Sequence, residues 1–173
     1  MKIAELKRQL NAMDKAELIS ILRKFYKANK QCQAILDVEV CGASAEAPLI
    51  ESCRKKIHAA FFGRQLSLKN ARAVISDFRK ASQNKESIAD LMLYYVECGV
   101  EFTNIYGDID ERFYSSLESM FADFVMILNS MENDSFYRRQ SKRIRAVFED
   151  TRNIGWGFSD EMARIYFDIC FLT

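Results

Sequence analysis

The longest helical pattern in the sequence is KESIADLMLYYVECGVEFTNIY, which spans about residues 85–106. Its apolar residues recur every three or four positions, the spacing at which side chains share one face of an α-helix. Gly107 follows the pattern, and glycine is common just after the end of a helix. Asp110 can then cap the next helix. The stretch predicts one long helix whose packed face carries Ile88, Met92, Tyr95, Gly99, Phe102 and Tyr106.

The same periodicity extends in both directions from this helix. It is clearest after Asp110, where one face carries Phe113, Leu117, Met120, Phe124, Leu128 and Met131. Further helices are predicted around Leu6 and Leu10, from Asp14 with Glu17 as its capping-box partner, over 31–40, from Pro48 to Gly63, from Ser67, over 136–150 and from Ser159. No strand pattern competes, so we predict an all-α fold. Short connections favour an irregular bundle of eight or nine antiparallel helices, or a set of stacked helical hairpins.

The chain length and composition bound the domain organisation. A length of 173 residues favours a single domain over 1–173. The sequence has six Gly and one Pro, where average usage predicts about twelve and nine, and this excludes a turn-rich sandwich or barrel. We expect residues 1–45 to form N-terminal helices and a mobile loop, and residues 46–173 to form the main bundle. The loop is predicted at CGASAEA, residues 41–47.

Cysteine usage and hydropathy bear on the compartment. The five cysteines are odd in number and include no C-x-x-C pair, so they match neither a disulfide framework nor a zinc finger. Free thiols are typical of a reducing compartment, which predicts a cytoplasmic protein. The N-terminus is charged where a signal peptide would be apolar. The longest apolar run has six residues, Leu91 to Val96, so no membrane span is predicted.

Charge is divided unevenly along the chain, and one acidic stretch stands out. Residues 1–86 hold 17 Lys/Arg and 9 Asp/Glu, whereas residues 87–173 hold 8 and 15. We expect the two halves to pack on each other, although the asymmetry also suits a partner surface. The long helix places polar residues on one face with no Lys or Arg between 86 and 111. We call this face the acidic ridge: Asp90, Glu97, Glu101, Asn104 and Asp108.

The acidic ridge needs positive charge from outside its own helix, because like charges four residues apart repel. The interpretation we favour is pairing within the chain, with the preceding helix as the expected source through Lys69, Arg72, Arg79 and Lys80. A basic partner surface is one alternative. A divalent cation is another, and it would make the protein a metal-dependent hydrolase of nucleotides or phosphoesters. Its ligands would be Glu97, Glu101, Asp108 and Asp110.

Other enzymatic readings have less support. The single histidine, His58, lies in a basic context and lacks the Glu-x-x-His spacing of di-iron bundles. Helical nucleotide pyrophosphohydrolases hold Mg²⁺ with E-x-x-E pairs, whereas Glu97 and Glu101 are four residues apart. No arrangement of Ser, Cys, His and Asp suggests nucleophilic catalysis. We therefore predict no catalytic residues, and the need for a cofactor stays open.

A basic run and a lone tryptophan are the remaining candidate binding features. The run is Arg138, Arg139, Lys142, Arg143 and Arg145. Because Phe136 and Tyr137 precede the basic run, one interpretation is that the run binds nucleic acid. The interpretation we favour is a solvated helix face that also pairs with the acidic ridge. Trp156 lies between two glycines and either covers a pocket or, as we favour, joins Phe158 in the core.

Several stretches together resemble a known family. These are SLKNAR (67–72), ADLMLYYVE (89–97), GVEFTN (99–104), YGDID (106–110), FYSS (113–116) and IGWGF (154–158). The chain resembles a small bacterial family described only as a domain of unknown function. The resemblance is specific over residues 67–121 and looser over 1–60 and 135–145. It implies a small cytoplasmic all-helical protein and supplies no catalytic residues.

The functional prediction is a non-catalytic interaction module that uses its charged faces. A protein partner or self-association is expected. The two alternatives are the metal-dependent hydrolase with the carboxylates named above and a nucleic-acid binder that uses residues 138–145.

Overall fold

The computed structural model describes residues 1–172 as an all-α bundle with short connections. Its helices are α1 (Ile3–Asn11), α2 (Lys15–Ala28), α3 (Lys30–Cys41), α4 (Ala43–Phe62), α5 (Leu68–Ala81), α6 (Lys85–Tyr106), α7 (Glu111–Asn129), α8 (Ser135–Asp150) and α9 (Phe158–Phe167). Over residues 1–172 there are nine helices and no strand. The predicted fold class is confirmed.

Several helices begin and end at the residues that the sequence indicated. Asp14 accepts a hydrogen bond from the backbone N–H of Glu17 at 2.8 Å, and Glu17 accepts one from the N–H of Asp14 at 2.9 Å. The Asp110 carboxylate accepts from the N–H of Phe113 at 2.8 Å. α6 ends at Gly107, whose φ of 85° lies in a region that glycine adopts without strain.

The long helix α6 lies at the centre of the bundle. It packs against α4, α5, α7 and α8, and Leu91, Met92 and Leu93 are fully buried. Gly99 faces α7 at a place where a Cβ atom would collide with the side chain of Leu117. The missing side chain therefore allows α6 and α7 to approach closely.

The mobile loop predicted at residues 41–47 is wrong. α3 continues to Cys41 and α4 begins at Ala43, so one residue separates them. Gly42 makes the whole turn because its φ is 58°, and the alanine-rich segment after it favours a helix. Pro48 consequently lies inside α4 and not in its first turn.

The N-terminal helices pack on the bundle in succession. α3 packs against α4 and α5, and α2 packs against α3. No residue of α1, α2 or α3 is buried. The boundary between the exposed helices and the close-packed bundle therefore lies at α3.

All five cysteines are free thiols. Cys53 and Cys98 are buried, and burial raises the pKa of Cys98 to about 12. Among the helices of residues 1–172, none has the length and hydropathy that crossing a bilayer requires.

Candidate functional site

The acidic ridge and the basic run meet at one side chain, Arg143. Its Nε and Nη2 atoms donate to the two carboxylate oxygens of Glu97, both at 2.7 Å. Its Nη1 atom donates to Asp90 at 2.6 Å and to Gln140 at 2.9 Å. Arg54 of α4 approaches from the other side and donates to Asp90 at 2.6 Å. We call these five residues the Arg143 cluster.

The Arg143 cluster is largely shielded from water. The side chains of Asp90, Glu97 and Arg143 are 13%, 26% and 30% exposed. Partial burial disfavours the charge of Arg143, but hydrogen bonds and attraction to Glu97 and Asp90 outweigh that effect and raise the pKa of Arg143. The guanidinium therefore stays charged and lies between the carboxylates of Asp90 and Glu97.

The expectation that cations of the same chain neutralise the acidic ridge is confirmed at Asp90 and Glu97. The expected pairing with the basic run is confirmed at Arg143, whereas the preceding helix, the other expected source, supplies no cation to these two carboxylates. Arg54 and Arg143 come from α4 and α8. The side chains on α5 have other partners. Arg72 donates to Ser116 of α7, Arg79 to the sulfur of Met92, Lys80 to Asp77, and Lys69 forms no ion pair within residues 1–172.

The four carboxylates of the predicted metal site do not act together. Glu97 binds Arg143, and Asp108 accepts from the Tyr114 hydroxyl at 3.0 Å. Asp110 caps α7. Glu101 is exposed and borders a surface hollow of about 540 Å³ with Asn104 and Asp150. Over residues 1–172, no three His, Cys, Asp or Glu side chains are placed to share an ion.

Most of the basic run is also engaged inside the chain. Arg138 pairs with Asp134 at 2.7 Å, Arg139 with Glu86 at 2.6 Å and Arg145 with Glu149 at 2.8 Å. Together with Arg143, this places four of the five cations of the run against carboxylates. Lys142 forms no ion pair within residues 1–172. The phosphates of a nucleic acid would have to compete with these carboxylates for the arginines.

The prediction that Trp156 and Phe158 both lie in the core is right for Phe158 and wrong for Trp156. Phe158 is fully buried, whereas Trp156 is 68% exposed and does not join the core. Trp156 itself has a φ of 61°, a left-handed conformation that residues other than glycine rarely adopt. α9 begins at Phe158 without a side-chain cap, so the cap predicted at Ser159 is also wrong.

The predicted helical hairpin over residues 6–22, followed by Lys24, Lys27 and Lys30, also suggests a phosphate-binding surface. This region forms α1 and α2, which we call the N-terminal arm. Phe25 is 54% exposed and Ile3 is 85% exposed. Other large apolar side chains of the arm are exposed to a similar degree: Met1, Leu6, Met13, Ile19, Leu22 and Tyr26. Residues 1–28 also hold seven Lys/Arg and three Asp/Glu. The arm is therefore amphipathic and basic.

A cavity of about 800 Å³ lies between α3, α4 and α5. We call it the α3–α5 cleft. Its walls are mostly apolar, with Leu49 and Cys53 from α4 and Val74 and Phe78 from α5. No residue of the N-terminal arm lines it. The cleft and the arm are thus two separate surfaces.

Comparisons of the chain with protein-family models, with curated proteins and with solved structures each find no match. The resemblance to a bacterial family of unknown function therefore stays a prediction.

Proposed function

We propose that the protein is a non-catalytic interaction module, and that the N-terminal arm binds an acidic surface on a partner protein. The observation that supports this proposal most strongly is that the apolar face of the arm is exposed to solvent, although the rest of the chain forms a close-packed core. Burying apolar surface contributes about 25 cal/mol per Å². Large exposed apolar patches on monomers commonly mark interaction sites.

The charge of the arm favours an acidic partner over a second copy. The helical spacing of α2 places Leu22 and Phe25 on one side and Arg23, Lys24 and Lys27 on the opposite side. Each arm carries four more Lys/Arg than Asp/Glu over residues 1–28, so two arms repel each other through their net charge. An acidic partner would instead gain attraction and faster encounter.

The charged faces of the bundle support binding less well than the arm does. Asp90 and Glu97 are already neutralised by Arg54 and Arg143. The same contacts weaken the hydrolase alternative, because a divalent ion would have to displace Arg143. They also weaken the nucleic-acid alternative, because the arginines of residues 138–145 have carboxylate partners.

The expected location is the cytoplasm of a bacterial cell. The five free thiols suit a reducing compartment. The bacterial assignment depends on the family resemblance.

Site-specific photo-crosslinking in the native cells tests the proposal. A benzophenone amino acid replaces Phe25 of the arm in the full chain, and a matched control replaces Met126 of α7, which is 64% exposed. We expect one discrete protein adduct from position 25 and none from position 126. Mass spectrometry should place the crosslink in a partner segment rich in Asp and Glu.

Three results would contradict the proposal. The first is the absence of an adduct at position 25. The second is an equal set of adducts from both positions, which indicates random collision. The third is an adduct that nuclease removes or that consists of lipid, because either one assigns the arm to a different class of partner.

A further inference from the structure

We propose that the α3–α5 cleft is a binding site for an anionic amphiphile, a molecule with an apolar tail and a carboxylate head. The apolar walls would hold the tail, and Lys56 would bind the head. The volume of about 800 Å³ falls within the range of about 300–1,000 Å³ typical of small-molecule sites. The site is independent of the N-terminal arm and of the proposed function.

The part of α4 that lines the cleft extends from Ala45 to Lys56. Glu46, near the start of α4, is buried and accepts hydrogen bonds from Ser82 and from Asn84, the latter at 3.1 Å. These bonds join the start of α4 to the end of α5. Lys56 lies eleven residues beyond Ala45 on α4, a distance of about 16 Å at the helical rise. An extended tail fits between these two ends.

The floor of the cleft is suited to an uncharged tail. Phe78 and Ala81 from α5 and Cys53 from α4 are at most 4% exposed. Burial raises the pKa of the Cys53 thiol, with smaller effects from Lys56 and Asp77, so this side chain is neutral at physiological pH. Water in such a space has few polar partners, and an apolar tail would displace it favourably.

The charges around the cleft favour an anionic head. Four charged residues line it: Lys30, Asp37, Lys56 and Asp77. Asp77 pairs with Lys80 at 2.7 Å, and the other three form no ion pair within residues 1–172. Two free ammonium groups therefore face one free carboxylate. Lys56 is exposed and lines the cleft, as does Asn70 with its amide side chain.

Fluorescence titration of the full chain with dansyl-labelled undecanoic acid tests the inference. We expect saturable binding of one probe per chain, with a blue shift in emission. Ala73→Trp places a large side chain at an exposed position on the lining and should weaken binding at least about tenfold. Ser76→Trp is the matched control, because Ser76 is exposed on the same helix but does not line the cleft.

A second pair of variants tests the head group and does not depend on how Ala73→Trp folds. Lys56→Gln should weaken binding of the acid about fivefold, the effect of one partly exposed charge pair. Binding of the methyl ester of the probe should not change. Lys55→Gln is the control, because Lys55 is exposed and lies outside the lining.

The inference would be overturned by the absence of saturable binding, or by equal affinities in Ala73→Trp and Ser76→Trp. It would also be overturned if Lys56→Gln had no more effect than Lys55→Gln. Loss of binding in Phe25→Ser would place the probe on the N-terminal arm and likewise overturn it. None of these results bears on the crosslink at position 25, so the two proposals can fail separately.

Discussion

Arg143→Gln is the variant that most directly tests how the bundle is held together. The change removes the charge that Asp90 and Glu97 share and breaks three hydrogen bonds to their carboxylates. An exposed ion pair contributes about 0–1 kcal/mol, whereas leaving a fully buried charge without its partner costs about 3–5 kcal/mol. Asp90 keeps its ion pair with Arg54 at 2.6 Å, so the carboxylate left without a cation is that of Glu97, whose side chain is 26% exposed. We therefore expect the free energy of unfolding to fall by about 2–3 kcal/mol, between these limits.

Urea unfolding followed by far-UV circular dichroism measures this loss in the free energy of unfolding. Thermal unfolding gives a second measure. For a chain of this length, each kcal/mol lowers Tm by about 2–4 °C, so Tm should fall by about 4–12 °C. Arg138→Gln is the matched control, because its ion pair with Asp134 lies on the same helix but its side chain is 77% exposed. The control should cost less than about 1 kcal/mol. Equal losses in the two variants would refute the structural role assigned to the Arg143 cluster.

Three further predictions concern other parts of the molecule. Gly99→Ala should destabilise the fold by about 1–2 kcal/mol in urea unfolding, because the collision with buried Leu117 outweighs the gain in helix propensity; a stabilised variant would contradict the close α6–α7 approach. Burial and, to a smaller extent, the nearby Glu161 raise the pKa of Glu118, so its ionised form is disfavoured in the folded state. Glu118→Gln should therefore raise Tm at neutral pH, and the gain should vanish as pH falls below the ordinary glutamate pKa; a gain that persists in acid would contradict this cause. Phe25→Ser should change the free energy of unfolding by less than about 0.5 kcal/mol, since a large loss would mean that the arm packs on the bundle.

The helices were predictable because their signals are local. The capping box at Asp14 and Glu17, the cap at Asp110 and the end of α6 at Gly107 each depend on residues a few positions apart. The loop predicted at residues 41–47 failed for a related reason. A single glycine with positive φ made the turn, and the small residues after it continued as a helix.

What covers a helix face was not predictable from its periodicity. α2 carries an apolar stripe as regular as that of α7, yet Leu22 and Phe25 are exposed whereas Phe124 and Leu128 are buried. Periodicity indicates that a face is apolar but not which element packs on it. The same limit explains why Arg54 of α4, which is distant in sequence, was not identified as a partner of Asp90, although the basic run that contains Arg143 was expected to pair with the acidic ridge. The α3–α5 cleft depends on three helices and had no sequence signal.

The most direct test of the account is the crosslink yield from position 25 when the net positive charge of the N-terminal arm is removed. The benzophenone replaces Phe25 in the unmodified chain and in a chain with Lys24→Glu and Lys27→Glu, two exposed residues of α2; the double change leaves five Lys/Arg and five Asp/Glu in residues 1–28. We predict that the adduct with the acidic partner decreases about tenfold, which corresponds to about 1.4 kcal/mol of lost attraction. An undiminished yield from the neutralised arm would contradict recognition by charge.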